Sequence, residues 1–325
     1  MNVAVVGATG VIGRRILEKA ESYGLRCDNL YLFATKKSDG TFLKAFGEKI
    51  IVEKLSVENV INKRIDLAFF AAGSRVSEDF VPLFLEKGAY VIDNSSKFRM
   101  QKGVPLVVPS VNGELLTFDS KLIANPNCST ITLVPILNAL KSFGLKRVVV
   151  STYQAVSGAG KLGVEDLNRG ERGLPPLKFE KPIYGNLIPK IGDFDDEGYC
   201  EEEIKIVNES KKILNDENLK ISATTVRVPV FNCHSESVNV EFESEVSLSE
   251  IQEALYNYPD ITLTSNENYP TPLEVNNRDD VVVSRIRKDL SCPSAAWLWA
   301  VSDNLNVGAA TNAVKIAKIL QNLTK

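Results

Sequence analysis

The chain has 325 residues, which is too long for one small domain, so two domains that share a cleft are the default expectation. Its hydrophobic fraction of 44% and charged fraction of 24% are those of an ordinary globular protein with enough apolar residues for a large core. A net charge of −3 gives no electrostatic reason to expect nucleic acid or an anionic lipid surface as a partner.

Cysteine usage and the apolar runs bear on the compartment. The five cysteines are odd in number and show no C-x-x-C spacing, so a disulfide framework or a bound metal is not expected. A strand-like run begins at Val3, which leaves no room for a signal or transit peptide. No apolar stretch approaches the ~20 residues of a membrane span. We therefore expect a cytoplasmic protein with no membrane partner.

The first part of the chain, to about residue 125, alternates between predicted strands and helices. The strand candidates are short apolar runs bounded by turn residues: Val3–Val6, Leu30–Phe33, Ile50–Val52, Leu67–Ala72, Tyr90–Ile92 and Leu122–Ala124. Helices are predicted between them, at Val11–Glu21 and Ser77–Glu86. Runs that are apolar on both faces are typical of a parallel sheet covered by helices, so this part is predicted to be a doubly wound, Rossmann-type nucleotide-binding domain.

The pattern changes after Cys128. Residues 237–242 alternate between polar and apolar, as in a half-exposed antiparallel strand. Ser247 to Glu250 has the form of a capping box at the start of a helix. Further strand candidates are Val148–Tyr153, Thr225–Val230, Val281–Ile286 and Ala296–Ala300, and an amphipathic helix is predicted at Ala309–Leu323.

These elements predict an α/β protein with two domains. Residues 1–127 together with a C-terminal helix at 306–325 would form the nucleotide-binding domain. Residues 128–305 would form an α+β catalytic and dimerisation domain around a mixed, largely antiparallel sheet. Within it, residues 169–199 are rich in Gly, Pro and charge. Such a long irregular segment is usually functional or part of an interface.

The turn after the first strand carries a glycine pattern, G-x-x-G-x-x-G, from Gly7 to Gly13. Small residues there let the backbone approach a pyrophosphate at the helix N-terminus, and a tight strand–helix turn without a ligand is the alternative. The cofactor residues proposed in this turn are Gly7, Thr9, Gly10, Val11 and Ile12. Reductases and epimerases that share this start need a tyrosine followed four residues later by lysine, and none of the nine tyrosines has that partner.

The residues after the second strand favour NADP over NAD. Lys36, Lys37 and Ser38 offer cations and hydroxyls where an NAD site usually places an acid on the ribose. Asp39 is a counter-indication, and a solvated lysine pair is the plain alternative.

The run from Asn125 to Thr130 places Cys128 behind a polar turn and ahead of an apolar segment, Ile131–Leu140, that is predicted to be helical. A cysteine at a helix N-terminus meets free N–H groups and the positive end of the helix dipole, and both favour the nucleophilic thiolate. A small buried hydrophobe is the alternative. The chain has one histidine, His234, so a nucleophile, an imidazole and a dinucleotide site occur together.

With these motifs the chain resembles the aspartate-semialdehyde dehydrogenase family. The resemblance follows the family's order over nearly the whole length, in these blocks: the GATGVIG start, Asp93–Arg99, Asn125–Thr130, Thr152–Gly160, Asn186–Pro189, Glu202–Lys205, Arg227–Val230, His234–Ser237, Asp303–Leu305 and Gly308–Ala310.

The resemblance implies catalytic roles for three residues. Cys128 would attack an acyl phosphate and form a thioester, which hydride from NADPH then reduces. His234 would be the general acid or base, with a resting pKa expected near neutrality. Gln154 would orient the intermediate, and Asn127 with backbone N–H groups would hold the oxyanion. Cys233 stands where the family typically has Gly or Ala, so oxidation beside the site is a possibility to test.

The resemblance also implies the binding residues. Arg99, helped by Lys205, would bind phosphate. Arg227 would pair with the α-carboxylate, and Glu202 would bind the α-amino group, although acids are common at helix starts without any ligand. The cofactor set is completed by Lys37, Ser38, Gly73, Ser157, Gly158 and Asn304.

The implied reaction is the reversible NADPH-dependent reduction of L-aspartyl 4-phosphate to L-aspartate 4-semialdehyde and inorganic phosphate, in the biosynthesis of lysine, threonine, methionine and diaminopimelate. A homodimer or a dimer of dimers is expected, because Leu174, Leu177, Phe179 and Ile183 lie in the irregular segment. Two alternatives stay open. One is another acyl-phosphate or acyl-CoA reductase of this fold, such as N-acetyl-glutamyl-phosphate reductase; the other is a non-catalytic NADP-binding relative.

Overall fold

The computed structural model describes residues 1–324. Its strands are β1 (Asn2–Val6), β2 (Asn29–Ala34), β3 (Phe42–Ala45), β4 (Glu48–Lys54), β5 (Leu67–Phe70), β6 (Tyr90–Asp93), β7 (Leu122–Ala124), β8 (Leu145–Gln154), β9 (Lys220–Arg227), β10 (His234–Phe242), β11 (Ile261–Leu263), β12 (Val281–Lys288) and β13 (Ala295–Ser302). Its helices are α1 (Val11–Ser22), α2 (Val57–Ile61), α3 (Ser74–Glu86), α4 (Pro109–Asn112), α5 (Cys128–Ala139), α6 (Lys161–Glu171), α7 (Glu201–Leu214), α8 (Leu248–Tyr256), α9 (Pro272–Val275) and α10 (Asn312–Leu323).

The described chain divides into two compact units. The first contains Met1–Asn127 and the chain from Ala309 onward, and the second contains Cys128–Gly308.

The first unit is built on a sheet whose strand order, within residues 1–324, is β3-β4-β2-β1-β5-β6-β7. All its pairs are parallel except β3 with β4, so the predicted doubly wound fold is confirmed. The strands β5 and β6 are buried along their whole length, and Asp93 at the end of β6 is the one charged residue in their otherwise apolar sequences.

One part of this sheet differs from the prediction. The sequence analysis has no strand at Phe42–Ala45, yet β3 forms an antiparallel hairpin with β4. The two residues between them, Phe46 and Gly47, both have positive φ, of 51° and 77°, as a tight hairpin turn requires. A phenylalanine in that conformation gives no turn signal in the sequence, which is why the hairpin was missed.

The C-terminal helix α10 completes the core of the first unit. Ala313, Ile316 and Leu320 are buried in the same cluster as the strand residues. The Asn312 amide donates to the Val107 carbonyl at 2.8 Å and to Oδ1 of Asn125 at 2.7 Å. The predicted helix start at Ala309 is wrong, because a π-helical turn over Asn306–Thr311 precedes α10.

The second unit has a mixed sheet with the order β11-β12-β13-β10-β8-β9 among the described strands. The three central pairs are antiparallel, and the outer pairs β11 with β12 and β8 with β9 are parallel. The predicted mixed, largely antiparallel sheet is therefore confirmed. Helix α5 contacts β10 and β13, and α7 contacts α5 and β9. Since Ser129–Leu137 are all buried, α5 is a core helix rather than an amphipathic one.

The irregular segment predicted at 169–199 begins after α6, which continues to Glu171. The carboxylate of Asp166 on α6 accepts three backbone N–H groups from 177–179, at 2.6, 2.8 and 2.8 Å, and so fastens the segment. Ile183 is buried in a small apolar cluster, and Phe179 packs against the same cluster. Residues of the second unit therefore cover both side chains. Leu174 and Leu177 remain exposed.

No helix within residues 1–324 combines the length and the apolar character that crossing a membrane would require.

Candidate active site

A cleft in the first unit lies at the predicted glycine turn. A Cβ atom on Gly7 would lie 2.5 Å from the carbonyl oxygen of Ala71, and one on Gly13 would lie 2.2 Å from that of Gly7. Gly7 also has a φ of +85°. Only glycine fits both positions, so the backbone turns tightly at the start of α1. The turn presents the N–H groups of the helix N-terminus in the way that phosphate binding uses.

The cleft has a volume of about 440 Å³. Its walls within the described chain are Val6, Gly7, Thr9, Gly10, Ala34, Thr35, Lys36, Lys54, Leu55, Ala71, Ala72, Val76 and Phe80. Lys36 and Lys54 are the lysines among these residues, and Lys37 is not one of them; Lys36 and Lys37 are both exposed. Ser38 does not line the cleft, but its hydroxyl lies 3.3 Å from the hydroxyl of Thr9, which does.

Asp39, the acid that would favour NAD over NADP, has a hydrogen-bond partner within the protein. Oδ1 of Asp39 accepts the backbone N–H of Lys54 at 2.9 Å. One oxygen of the Asp39 carboxylate therefore caps the end of β4.

Cys128 is the first residue of α5, as the sequence predicts. Its backbone carbonyl accepts the hydroxyl of Thr132 at 3.1 Å, and that hydroxyl lies 2.6 Å from Oγ of Ser302. Ser302 is the pairing partner of His234 between β13 and β10. The first turn of α5 is thus linked to the strand that carries the histidine.

Gly308 lies directly against Cys128. A Cβ atom there would lie 2.7 Å from Cβ and 3.1 Å from Cα of Cys128, closer than non-bonded carbon atoms approach. The sequence analysis gave this glycine no role at the site. In the sequence, only its position in the Gly308–Ala310 block marks Gly308 as a residue of interest.

His234 begins β10 and is fully buried. Its Nδ1 atom accepts the backbone N–H of Ala155 at 3.1 Å. Burial, reinforced by the positive charge of Arg227, lowers the pKa of His234 well below its usual 6.5. The expectation of a resting pKa near neutrality is wrong, because the imidazole is held neutral.

Gln154 ends β8 and is held by hydrogen bonds on both sides of its amide. Oε1 accepts the hydroxyl of Thr152 at 3.0 Å, and Nε2 donates to Oε1 of Glu202 at 3.0 Å. Nε2 also lies 3.4 Å from Nε2 of His234. These contacts fix which way the amide points, which is the property an orienting glutamine needs. Thr152 is a second residue with no role in the sequence analysis, and its spacing two residues from Gln154 in one strand was the available signal.

Glu202 is buried in the first turn of α7. Its Oε2 atom lies 3.7 Å from Nζ of Lys205, and Lys205 also pairs with Oε2 of Glu201 at 3.1 Å. Glu202 and Lys205 therefore share one helix face, as their spacing predicts.

Arg227 ends β9 and is also buried. Its Nη1 atom donates to the carbonyl of Ala155 at 2.7 Å. Burial lowers the pKa of Arg227, while the negative charges of Glu202 and Cys128 oppose that shift. A Cβ atom on Gly158 would lie 3.0 Å from Nη1 of Arg227 and 3.2 Å from His234, so glycine leaves room for both side chains.

Arg99 and Asn127 belong to the first unit, and both are buried. Nε of Arg99 donates to the carbonyl of Asn125, and Nη2 donates to the carbonyl of Asn94, both at 2.9 Å. The guanidinium is thus fixed in place by the backbone around the Asn125–Thr130 motif.

The cofactor residues predicted in the second unit support the histidine strand. Oδ1 of Asn304 accepts the backbone N–H of Cys233 at 2.9 Å, and its Nδ2 donates to the hydroxyl of Ser157 at 3.0 Å. Gly73, in the first unit, precedes α3 with a φ of +88°.

Cys233 is fully buried beside the histidine, with an unusual φ of +73° for a residue other than glycine. Burial, with the nearby Asp303 carboxylate, raises the pKa of its thiol to about 12. The thiol is therefore protonated at neutral pH and is a poor nucleophile, which argues against the oxidation considered from the sequence.

Comparison with known proteins decides the family. Residues 2–117 match the protein family described as "Semialdehyde dehydrogenase, NAD binding domain", and residues 133–307 match "Semialdehyde dehydrogenase, dimerisation domain". Aspartate-semialdehyde dehydrogenase of Aquifex aeolicus is 46% identical over 331 residues, which cover 98% of this chain and 97% of that protein. The chain belongs to the aspartate-semialdehyde dehydrogenase family. The resemblance stated from the sequence is confirmed, and the chain is an oxidoreductase with an NAD(P)-binding domain.

Two solved structures of the family are similar over nearly the full length. Aspartate semialdehyde dehydrogenase II of Vibrio cholerae, complexed with ASA, has a TM-score of 0.93 at 37% identity, covering 99% of this chain and 98% of that one. The Candida albicans enzyme with NADP has a TM-score of 0.77 at 25% identity, covering 99% of each chain.

Among residues 1–324 there is no cluster of three or more His, Cys, Asp or Glu side chains that could hold a metal ion.

Proposed function

We propose that this member of the aspartate-semialdehyde dehydrogenase family catalyses the reversible, NADPH-dependent reduction of L-aspartyl 4-phosphate to L-aspartate 4-semialdehyde and inorganic phosphate. One proton is consumed and one hydride is transferred in the reductive direction. The observation that carries the proposal is the cluster in the second unit. There the first residue of α5 is a cysteine, and Gln154, Glu202, Arg227 and His234 are all buried; a hydrogen bond joins Gln154 to Glu202, and charge couples Arg227 to Glu202 and His234.

Cys128 acts as the nucleophile. Its sulfur attacks the acyl carbon of the substrate, the C–O bond to phosphate breaks, and a thioester forms. The start of α5 favours the thiolate through the helix dipole, and the nearby Arg227 adds a positive charge.

His234 and Gln154 serve the reduced intermediate. Hydride addition to the thioester carbonyl places negative charge on its oxygen, and expulsion of the thiolate then releases the aldehyde. A neutral imidazole with Nδ1 occupied by the Ala155 N–H carries its hydrogen on Nε2. His234 can therefore donate to that oxygen, next to the fixed amide of Gln154.

Arg227 and Glu202 recognise the amino-acid end of the substrate. The planar guanidinium of Arg227 suits the α-carboxylate, and the buried carboxylate of Glu202 suits the α-ammonium. Arg99 and Lys205 bind the phosphate. An N-acetylated substrate has no ammonium group, so a buried Glu202 favours the aspartyl substrate over N-acetyl-glutamyl phosphate.

NADP fits the cleft of the first unit. The close packing at Gly7 and Gly13 supports a pyrophosphate at the start of α1, and the presence of Lys36 and Lys54 in the cleft lining favours the extra phosphate of NADP. When bound, the nicotinamide supplies or accepts the hydride.

The experiment is a substrate panel with NADP and NAD. The panel contains three substrates: aspartate semialdehyde with phosphate, N-acetylglutamate semialdehyde with phosphate, and an acyl-CoA. The proposal requires the highest kcat/KM for aspartate semialdehyde. Cys128→Ala should retain less than ~1% of the wild-type rate while leaving NADPH affinity nearly unchanged, because a lost nucleophile costs several powers of ten. Turnover by that variant would exclude covalent catalysis.

The dimerisation-domain match, together with exposed Leu174 and Leu177, supports at least a homodimer. Light scattering at micromolar concentration tests this. A mass near the 35.8 kDa of one chain would contradict it.

A further inference from the structure

Glu236 is a buried carboxyl group that the proposed chemistry does not use. Its side chain has no solvent exposure. Neither carboxyl oxygen has a hydrogen-bond partner among residues 1–324. Buried polar groups in native proteins nearly always have a partner, so an unsatisfied carboxyl this close to an active site calls for an explanation.

The register of β10 locates Glu236 next to the catalytic groups. It lies two residues after His234, so both side chains are on the same face of the sheet. On one side its pairing partner is Ala300 of β13. On the other side its partner is Thr152 of β8.

Thr152 is the residue whose hydroxyl holds the Gln154 amide. Because this hydroxyl gives its hydrogen to Oε1 of Gln154, its oxygen can only accept further hydrogen bonds. Burial raises the pKa of Glu236 well above its usual 4.5, so the carboxyl carries a hydrogen to donate. Glu236 and Thr152 are directly paired, and the Cβ atoms of such antiparallel pairs are about 4.5–5.5 Å apart, so the carboxyl can reach the hydroxyl after a side-chain rotation.

We infer that Glu236 is a positioning residue, whose carboxyl group donates to the Thr152 hydroxyl and thereby fixes the Gln154 amide between Glu202 and His234. It does not touch the substrate. Its effect on the reaction passes through Thr152, and a chain of hydrogen bonds of this kind polarises and stiffens each member.

The inference rests on the proposed function only through the role of Gln154, and it is tested with whichever substrate of the panel the wild-type enzyme turns over. Glu236→Gln keeps the size and a donor, whereas Glu236→Leu keeps the size alone, with Glu236→Met as a substitute where leucine impairs folding. Thr152→Val removes the hydroxyl, and Thr152→Ser retains it. The measurements are kcat, the KM values and the thermal unfolding midpoint.

We expect Glu236→Gln and Thr152→Ser to stay close to wild type. Glu236→Leu and Thr152→Val should each lower kcat about tenfold with little change in KM, the equivalent of one well-placed hydrogen bond. The double variant should be no slower than either single one, because both changes break the same link. Glu236→Leu should keep a thermal unfolding midpoint close to that of wild type, because leucine fills a similar buried volume, so its lower kcat would not reflect partial unfolding.

Three results would overturn the inference. Wild-type kcat in Glu236→Leu would show that the carboxyl has no role in turnover. An equal loss in Glu236→Gln and Glu236→Leu would show that an ionisable acid, rather than a positioning donor, is needed. Additive losses in the double variant would show that Glu236 does not act through Thr152.

Discussion

The Gln154 amide donates a hydrogen bond of 3.0 Å to the Glu202 carboxylate, and this contact joins the end of β8 to the first turn of α7. Glu202 is therefore part of the catalytic cluster before any substrate binds. Its negative charge is shared among an amide, the ammonium group of Lys205 and the nearby Arg227. A substrate ammonium would join this network as a further partner.

Glu202→Gln tests that double role. The change removes the charge and leaves an amide facing the Gln154 amide, so we expect kcat to fall and the KM for the aldehyde to rise, by about tenfold each. Glu201→Gln is the matched control, because Glu201 is exposed and pairs with the same Lys205. Equal effects of the two changes on both parameters would assign the loss to Lys205 instead.

Two adjacent lysines should affect the choice of cofactor differently, because Lys36 lines the cleft and Lys37 does not. Lys36→Glu places a negative charge on the cleft wall and should lower kcat/KM with NADPH at least about tenfold, while kcat/KM with NADH changes little. Lys37→Glu makes the same charge change on an exposed side chain outside the wall, so it should leave both values near wild type. A larger loss in Lys37→Glu than in Lys36→Glu would show that Lys37 binds the cofactor, as the sequence predicts.

The neutral state of His234 predicts an acid-sensitive stability. In the unfolded chain an imidazole takes up a proton below about pH 6.5, and in the folded protein His234 does not, because its pKa is lowered. Its contribution to stability is fully present above about pH 6.5 and is lost as the pH falls toward the folded-state pKa.

Urea midpoints at about pH 7.5 and 5.5 measure this loss. Wild type should lose more stability than His234→Gln over that interval. Since the chain has one histidine, the difference isolates this group. Parallel losses in the two proteins would mean that His234 titrates normally.

Gly308→Ala should damage catalysis more than folding. The added methyl group would lie 2.7 Å from Cβ of Cys128 and must displace the nucleophile. A shift of about 1 Å in a reacting group can cost about a hundredfold in rate. Gly113→Ala is the control, because its new methyl group would lie 3.2 Å from the flexible end of Ile319 and at an ordinary contact distance of 3.9 Å from Cβ of Pro109. A Gly308 variant with wild-type kcat would show that the π-helical turn simply moves aside.

The thiols of Cys128 and Cys233 should differ in their reactivity toward alkylating reagents. At neutral pH the Cys233 thiol, with a pKa of about 12, should stay unmodified by iodoacetamide in the native enzyme. Cys233→Gly should keep activity, because glycine tolerates the φ of +73° without strain. Peptide mapping by mass spectrometry reads out the label, and rapid modification of Cys233 would contradict its protonated state.

The sequence predicts many of the elements and the position of Cys128 at the start of a helix because those signals are local. A strand apolar on both faces, a glycine turn and a cysteine at a helix start are each visible within a few residues, and β1, α1 and the start of α5 follow them. The alternation of β10 likewise fixes which of its residues share a face.

What the sequence could not supply depends on contacts between distant segments. Lys36 and Lys37 are neighbours with the same charge, and only the folded turn decides which one faces the cleft. The lowered pKa of His234 arises from burial and from Arg227, neither of which spacing reveals. Thr152 and Gly308 carry no reactive group, so no chemical motif marks them.

The first unit is interrupted in the chain, because residues 128–308 stand between its last strand and its final helix. As synthesis proceeds from the N-terminus, the whole of the second unit emerges before α10, whose Asn312 and Gln321 bond to Val107 and Arg26. The core of the first unit therefore stays incomplete on the ribosome until α10 has been added. A chain that stops before α10 would contain every catalytic side chain of the second unit and still leave the apolar face of α1 uncovered, as a target for chaperones and proteases.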